Sequence, residues 1–233
     1  MIGPPSRPAN RLLRLVAPTQ PRFVASLERV KLAKGQEVER PGAPVSHVYF
    51  VESGLLSVIA TGGVRKIEVG MIGYEGMTGT SAALGADEPA HVVLVQSAGT
   101  ALRLPLADFR ASFAVPELHV LWLRYAHVLM VQATQTGLAN GQGSLVERLA
   151  RWLVMRHDRV RTPEIDVTHG YISILLGVRR AGVTVALHRL EGEHLIRSQR
   201  NRISVLDRGG LVRVANGYYG KPEAEYDRLI DRR

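Results

Sequence analysis

Short apolar runs separated by turn residues dominate the first half of the chain. Each run is four to six residues long and rich in β-branched or aromatic side chains, and most of the gaps between the runs contain glycine. The runs lie at residues 48–51, 55–60, 67–71, 92–95 and 101–104. Short strands at this spacing are typical of an antiparallel sandwich or barrel, not of a parallel sheet with crossover helices.

The apolar spacing changes to three or four residues after Pro105, which predicts a long helix over residues 116–139. At 1.5 Å per residue this helix would be about 35 Å long. One seam follows it: Leu118, Leu121 or Trp122, Tyr125, Leu129, Gln132 and Thr136. The seam can pack on its own domain or on a second copy of the chain. The length of the helix and the narrow seam favour a coiled-coil-like dimer contact.

A glycine cluster at residues 137–143 predicts the end of the long helix and the domain boundary. Glycine accepts large backbone changes at low steric cost, so the cluster is also a candidate hinge. Ser144 and Glu147 directly after it have the spacing of a capping box. They predict a new helix that runs to about Asp158.

The segment from Thr168 to Arg189 has the pattern of a helix-turn-helix. Thr168 can cap a first helix, Gly177 provides the turn, and a second helix opens at Arg179 or Arg180. We place the small Ser173 where the two helices cross closely. In this motif the N-terminal residues of the second helix enter the major groove of DNA.

The side chains that the predicted core leaves free fit DNA recognition. Arginine pairs bidentately with guanine, and small apolar or threonine side chains contact the thymine methyl group, while other polar groups bind phosphates. A β-hairpin is predicted after the second helix and would form a basic wing. The candidates are Thr168, Arg179, Arg180, Ala181, Thr184 and His188, with Arg200 and Arg202 on the wing.

Charge strengthens the case for a polyanionic partner, which the motif identifies as double-stranded DNA. The chain has 233 residues and a formal charge of +9, and two thirds of that excess lies after residue 139. Residues 179–213 hold eight arginines and three acids. The absence of cysteine excludes disulfides, thiolate zinc sites and cysteine-ligated iron–sulfur clusters.

Neither a membrane protein nor an enzyme is predicted. The start of the chain lacks the order of a signal peptide, and the longest apolar stretch, 120–131, is interrupted by Arg124 and His127. The histidines form no His-Glu-x-x-His motif or triad-like pattern, and no Walker or dinucleotide motif is present. We therefore expect a soluble, cytoplasmic protein without catalytic activity and without a metal site.

Taken together, these motifs resemble those of the Crp/Fnr superfamily of transcription regulators. The resemblance covers residues 12–211 and is carried by LERVKLAKG at 27–35, PG at 41–42, VYF at 48–50, SG at 53–54 and LGVRR at 176–180. It implies an α+β fold with an N-terminal antiparallel β-roll of the cyclic-nucleotide-binding, jelly-roll-like type, a long dimerisation helix and a C-terminal winged helix-turn-helix.

On this resemblance the chain divides into five parts. An N-terminal helical segment spans 1–26, the sensory β-roll 27–106, the dimerisation helix 107–140, the winged helix-turn-helix 141–213 and a tail 214–233. The tail is expected to be either a short packing helix or frayed.

The resemblance also implies roles and partners. In such regulators a residue at the position of Arg180 contacts guanine, and residues at the positions of Ala181 and Thr184 face bases. We expect Thr168, Arg179 and His188 to contact mainly phosphates. It implies a homodimer on a pseudo-palindromic operator and contact with RNA polymerase.

The effector site departs from the family pattern, so cyclic AMP bound in the family's usual mode is not expected. Where cyclic-AMP-binding members carry a Gly-Glu and an Arg-Ser pair, this chain has Gly79-Thr80 and His91-Val92, with no Lys or Arg between 73 and 96. An anion buried without a cation is strongly disfavoured. No cofactor is predicted. Haem at His91 is an alternative, although a lone histidine on a strand is more often structural.

Two further hypotheses concern this effector site, which lacks the residues that bind cyclic AMP in the family. Gln132 and Thr136 could touch a ligand or set the register of the dimer helix. Gly73, Gly76 and Gly79 could form an anion-binding nest, although the turns of a β-roll need such glycines anyway.

A rival function is a ligand-binding β-roll that acts through protein contacts, without useful DNA affinity. Gly170 lies inside the first helix of the motif, where glycine costs about 1 kcal/mol relative to alanine. The carboxylate of a capping box is also missing at Tyr171. The arginine-rich second helix and wing argue for DNA binding.

Overall fold

The computed structural model describes residues 8–160 and 164–231. Its N-terminal part is an antiparallel sheet flanked by short helices, followed by one long helix. The elements are α1 (Arg11–Val16), α2 (Pro21–Ala25), β1 (Glu28–Leu32), β2 (Glu37–Glu39), β3 (His47–Gly62), β4 (Arg65–Ile72), α3 (Thr80–Ala83), β5 (Val92–Pro105), α4 (Leu106–Ala111) and α5 (Pro116–Gln142).

The strands form a five-stranded sheet in the order β1-β5-β3-β4, with β2 also paired to β5. Four of the predicted strands merge into two, because β3 and β5 each run through a glycine that the sequence pattern assigns to a turn. Gly54 has φ +86°, and a Cβ there would lie 2.6 Å from the carbonyl oxygen of Ser97. A Cβ at Gly99 would lie 2.0 Å from the carbonyl oxygen of Ser53. These glycines permit irregular register and close strand approach within one continuous pair.

Helix α5 packs its predicted seam against its own domain. Leu118, Trp122 and Tyr125 are buried in the core of the N-terminal domain, where Trp122 contacts Phe50 with ring centroids 5.4 Å apart. Our assignment of this seam to a dimer contact is therefore wrong, since the sheet beside it provides enough apolar surface to bury it. A different stripe of α5 stays exposed, namely Val120, Leu123, Met130 and Leu138.

The long helix also extends further than its glycines indicate. Gly137 and Gly141 lie inside α5, which ends at Gln142 with Gly143 as its C-cap. The capping box that follows is confirmed: the Ser144 N–H donates to Glu147 Oε2 at 2.7 Å, and the Glu147 N–H donates to Ser144 Oγ at 3.4 Å.

The C-terminal part is a winged helix-turn-helix followed by two short helical segments. Its elements are α6 (Leu145–Val160), β6 (Glu164–Asp166), α7 (His169–Leu176), α8 (Arg180–Gly192), β7 (Ile196–Gln199), β8 (Arg202–Val205), α9 (Arg208–Val214), α10 (Lys221–Tyr226) and a π-helical turn (Asp227–Asp231). A three-stranded sheet in the order β6-β8-β7 forms the wing. We had predicted its hairpin but not β6.

The tail is a packing helix, the first of our two alternatives. Pro222, Tyr226 and Ile230 are buried, and α10 lies against α5. The Arg124 guanidinium donates to the Leu229 carbonyl oxygen at 3.0 Å, and His127 lies 3.1 Å from Glu225. The tail therefore returns from the winged helix-turn-helix to the N-terminal domain.

Candidate DNA-binding interface

The helix-turn-helix is built by local signals that act within a few residues. The Tyr171 N–H donates to Thr168 Oγ1 at 3.0 Å, which caps α7. Gly177 ends α7 in the left-handed region at φ +64°, which favours glycine. Helix α8 then opens with Arg179 at its N-cap, and Val183 and Leu187 anchor it in the core.

The predicted recognition residues share one exposed face of α8. Arg180, Ala181, Thr184 and His188 follow helical spacing on the side opposite the buried residues. The Thr184 hydroxyl lies 3.1 Å from His169 Nδ1. Partial burial, with Arg180 and His188 nearby, lowers the pKa of His169. This lowering favours the neutral form of the ring.

Two residues that matter for this face were absent from our sequence-based set. Val185 is 69% exposed on the same face as Ala181, four residues away, so α8 presents an apolar strip beside Arg180. The sequence could have indicated Val185, because this apolar residue does not follow the helical spacing of the buried residues of α8. Gly182 lets α8 approach α6 closely, because a Cβ at Gly182 would lie 2.9 Å from Leu145 Cδ2 of α6. The close approach expected at Ser173, between α7 and α8, stays a prediction.

The two arginines of the wing differ in their environment. Arg202 lies 3.3 Å from Glu164 and 3.5 Å from Asp166, so these two carboxylates of β6 partly neutralise its charge. Arg200 lies at the hairpin tip, is exposed and has no ion-pair partner among residues 8–160 and 164–231. Glu164 and Asp166 lie on β6, which the sequence pattern does not predict. The sequence alone therefore does not show that Arg202 is paired and Arg200 is not.

The candidate effector residues do not all lie together. Thr80 and His91 line a small cavity of about 200 Å³ between the sheet and α5. The other lining residues are apolar except for Gly70, and no Lys or Arg is among the described residues that line it. Val92 begins β5 and pairs with Ile59 in the sheet.

Gln132 and Thr136 are engaged elsewhere. Gln132 clamps the backbone of Met71, accepting from its N–H at 2.5 Å and donating to its carbonyl oxygen at 3.2 Å. Thr136 Oγ1 accepts from Arg151 Nη2 at 3.1 Å. Both side chains therefore hold the long helix to its own chain.

The glycine N–H groups that could have formed an anion nest already have partners. The Gly79 N–H donates to Glu39 Oε1 at 2.5 Å, and the Gly73 N–H donates to Glu75 Oε1 at 3.1 Å. Burial raises the pKa of Glu39, opposed by its hydrogen bond from Gly79. The chain's own carboxylates thus take the place of an external anion.

A buried polar network joins the five-stranded sheet to the winged helix-turn-helix, with Glu68 of β4 at its centre. Glu68 Oε1 accepts from Trp152 Nε1 of α6 at 2.9 Å, and Glu68 Oε2 accepts from Ser57 Oγ at 2.5 Å. Arg156 of α6 donates to Gln96 Oε1 of β5. Burial raises the pKa of Glu68 to about 7, against the opposing effects of Ser57, Trp152 and the nearby arginines.

Glu68 is expected to make the protein less stable as the pH rises. A carboxyl group whose pKa is raised on folding contributes stability below its unfolded value of 4.5, and this contribution is lost as the pH rises through about 7. Relative to Glu68→Gln, which does not titrate, the wild-type free energy of unfolding should fall by at most about 3 kcal/mol across that window. Denaturant unfolding of both proteins at several pH values measures this. Parallel pH profiles would contradict it.

A second buried cluster, around Arg159 of α6, ties the tail to both domains. The Arg159 side chain is 8% exposed, and its Nε lies 3.0 Å from Glu75 Oε1 in the loop after β4. Its Nη2 lies 3.3 Å from Glu223 Oε1 in the tail. Tyr226 Oη donates to the Glu75 carbonyl oxygen at 2.8 Å, which adds a second contact from the tail.

No group of His, Asp or Glu side chains among residues 8–160 and 164–231 has an arrangement that could hold a metal ion. In the same part of the chain no single helix is long and apolar enough to cross a membrane. Helices α7 and α8 pass that test only as a pair and meet at an angle of 107°.

Comparison with known families places two domains on the chain. The sequence profile of the cyclic nucleotide-binding domain matches residues 29–114, and that of the Crp-like helix-turn-helix domain matches residues 147–214. The tail from residue 215 onward lies outside both matches. No curated protein matches the sequence.

Solved structures share this fold over most of the chain. FixK2 from Bradyrhizobium japonicum has a TM-score of 0.69 at 15% identity, covering 81% of this chain and 96% of its own. A transcriptional regulator of the Crp/Fnr family from Eubacterium rectale has a TM-score of 0.67 at 17% identity, covering 90% and 99%. A CRP-family regulator from Thermus thermophilus has a TM-score of 0.66 at 20% identity, covering 81% and 97%. At these identities the likeness establishes the fold.

Proposed function

The chain belongs to the Crp/Fnr superfamily of DNA-binding transcription regulators, since it joins a cyclic nucleotide-binding domain to a Crp-like helix-turn-helix, and we propose that it acts as a homodimer on a pseudo-palindromic operator. The observation that carries the proposal is the exposed face of α8, where Arg180 stands beside Ala181 and Val185. By its chemistry Arg180 pairs with guanine O6 and N7 in the major groove.

The apolar strip next to Arg180 refines the expected operator. Ala181 and Val185 have no hydrogen-bonding side chain, so they favour the C5-methyl group of thymine over a polar base edge. Each half-site should therefore combine a guanine with adjacent thymines. The wing would add phosphate contacts through Arg200, and RNA polymerase is the further partner proposed for a regulator of this family.

Selection of bound sequences from random duplex DNA tests the proposed function. Enrichment of a pseudo-palindrome whose half-sites lie about 34 Å, one helical turn, apart supports it. Failure to enrich any sequence, with the protein pure and folded, would favour the rival in which the β-roll acts through protein contacts. The exposed, arginine-bearing helix favours DNA binding over that rival.

The homodimer is proposed to form through the exposed stripe of α5. Val120, Leu123 and Met130 recur at three and seven residues, with His127 between them, and this spacing is that of a coiled-coil seam. The buried seam on the other side of the helix is occupied by the chain's own sheet. A second copy would thus cover a stripe that one chain leaves exposed.

Placing a charge on this stripe is expected to separate the protomers. Met130 is 56% exposed in one chain, so Met130→Glu leaves the monomer intact but would bury an unpaired carboxylate in the dimer. We expect the dimer dissociation constant to rise at least about tenfold, which corresponds to about 1.4 kcal/mol. Analytical ultracentrifugation measures it. Val64→Glu, at a fully exposed hairpin tip outside this stripe, is the matched control, and an equal effect of both would contradict the proposed interface.

The effector of the β-roll is proposed to be weakly polar or apolar. The cavity beside Thr80 and His91 is small and offers no guanidinium or ammonium group to a phosphate. The glycine N–H groups nearby are occupied by Glu39 and Glu75.

Cyclic AMP is therefore expected to leave the thermal stability unchanged. A ligand that binds the folded state stabilises it by RT ln(1 + [L]/Kd), so at about 1 mM even a Kd of about 10 μM would add about 2.7 kcal/mol. A thermal shift assay with cyclic AMP at that concentration should show no change in Tm. A clear rise would show that the phosphate is bound without the usual arginine.

A further inference from the structure

The hairpin between β3 and β4 has a basic tip whose cations form no ion pair with the described residues. Its residues 61–66 read TGGVRK, and all of them are exposed. Val64 at the tip is 99% exposed, and Gly63 has φ +60°, which makes the tight turn. Arg65 and Lys66 have no ion-pair partner among the residues that the structure describes.

This hairpin lies against the turn of the helix-turn-helix. Ile67 Cδ1 would be 3.3 Å from a Cβ placed at Gly177, so the base of the hairpin touches the residue that joins α7 to α8. Between the hairpin and the turn runs a groove of about 960 Å³, which Arg65 and Lys66 line on one side and Val178 on the other. None of the described residues that line the groove is acidic.

The groove is continuous with the recognition helix. Val178, on its wall, is followed directly by Arg179 and Arg180, which begin α8. When the N-terminus of such a helix enters the major groove, the preceding turn lies next to the sugar–phosphate backbone. With α8 in the major groove, the tip of the hairpin would lie beside the DNA strand that flanks the half-site.

We propose that the β3–β4 hairpin is a second DNA-contacting element, in which Arg65 and Lys66 bind phosphates of the flanking backbone. This inference rests on the proposed function, because it needs α8 in the major groove. The effector domain then touches DNA directly, and its position relative to the DNA-binding domain alters affinity without passing through the long helix.

The contact is to phosphates and not to bases. The hairpin lies outside the recognition helix, and its side chains approach the duplex from the backbone side. Cations that neutralise phosphates release condensed counterions, so log Kobs falls with log salt by about 0.9 for each phosphate contacted. Such contacts carry no sequence information themselves.

The test is the salt dependence of operator binding by the full chain. For the double variant Arg65→Ala/Lys66→Ala, we expect the slope of log Kobs against log salt to become shallower by about 1.8 per protomer. Affinity at 0.1 M salt should fall on the order of tenfold to a hundredfold, equally for operator and scrambled duplexes.

A matched control removes two exposed cations that do not line this groove. Arg22 and Lys31 are exposed, and Lys31 lies on β1, at the opposite end of the strand order from β4. Arg22→Ala/Lys31→Ala changes the net charge by the same amount and should leave the slope near the wild-type value. Equal slopes for the two double variants would overturn the hairpin contact while operator binding itself stands. A wild-type protein that selects no operator would instead overturn the proposed function.

Cross-linking gives a second readout that does not depend on charge. A photoreactive benzophenone amino acid in place of Val64 should leave the fold intact, because Val64 contacts solvent on nearly all sides. On the operator we expect a cross-link to the duplex outside the palindromic bases. The same group in place of exposed Lys31 should give none. Absence of a cross-link at position 64 with DNA bound would contradict the proposal.

Discussion

Replacing Arg159 with methionine is expected to lower the free energy of unfolding by about 3–5 kcal/mol. Breaking a buried ion pair by removing one partner costs this much because a buried charge is left without compensation. Here one cation neutralises two carboxylates, Glu75 at 3.0 Å and Glu223 at 3.3 Å. The proximity of these carboxylates outweighs burial and raises the pKa of Arg159, so the guanidinium stays charged inside the protein. Denaturant unfolding at neutral pH measures the loss.

A control at the same end of the domain separates burial from charge. Arg208 pairs with Asp158 at 2.7 Å, but its side chain is 45% exposed. Exposed pairs contribute about 0–1 kcal/mol, so Arg208→Met should cost far less than Arg159→Met. Adding Glu75→Gln and Glu223→Gln to Arg159→Met should recover much of the stability, because no charge then remains to be compensated. Equal costs for the two single variants would show that the cluster is not what holds the tail.

Arg159 matters beyond stability because of what it joins. The three members of the cluster come from α6 of the DNA-binding domain, from the loop after β4 and from the tail. Together with the network around Glu68, they make a direct polar interface between the N-terminal domain and the DNA-binding domain. Any change in how the two domains sit must reorganise both buried clusters, so the resting arrangement is held by specific contacts and not only by the helix that connects the domains.

The features that could be predicted are those that are determined locally. Thr168, Gly177 and the Ser144–Glu147 pair each act on backbone groups within four residues, and their caps and turn are present. The same holds for the face of α8, since helical spacing alone separates Val183 and Leu187 from Arg180. Motif residues near one another in sequence therefore predicted where α8 begins and which of its faces is buried.

The features that could not be predicted depend on partners far away in sequence. Gly54 and Gly99 look like turn glycines, and only the pairing of β3 with β5 shows that they permit a close approach instead. The seam of α5 is equally suited to a sheet or to a second helix. Its periodicity is identical in both cases, so burial against the chain's own sheet decided between them. The pairing of Arg159 with Glu223 spans 64 residues and has no sequence signal.

Arg180→Ala is expected to remove the guanine preference from each half-site of the operator. A bidentate arginine–guanine pair is worth about 1–3 kcal/mol of discrimination, which is about fivefold to 150-fold in affinity for each half-site. A dimer loses this at both half-sites, so the total loss of specific affinity is larger. Selection from random duplex DNA with the variant should relax one position in each half-site and leave the other positions unchanged. Titrations with operator and scrambled duplexes measure the affinity.

The control for this effect is an arginine on the same helix. Arg189 is exposed near the end of α8 and lies 3.3 Å from Glu193, so its charge is partly satisfied within the chain. Arg189→Ala removes the same formal charge, and we expect it to weaken operator and scrambled duplexes alike and only slightly. Since net charge changes equally in the two variants, only a direct base contact explains a loss confined to the operator. If both variants weakened specific binding equally with the guanine preference intact, Arg180 would act on phosphates, and recognition would have to rest on Ala181, Thr184 and Val185.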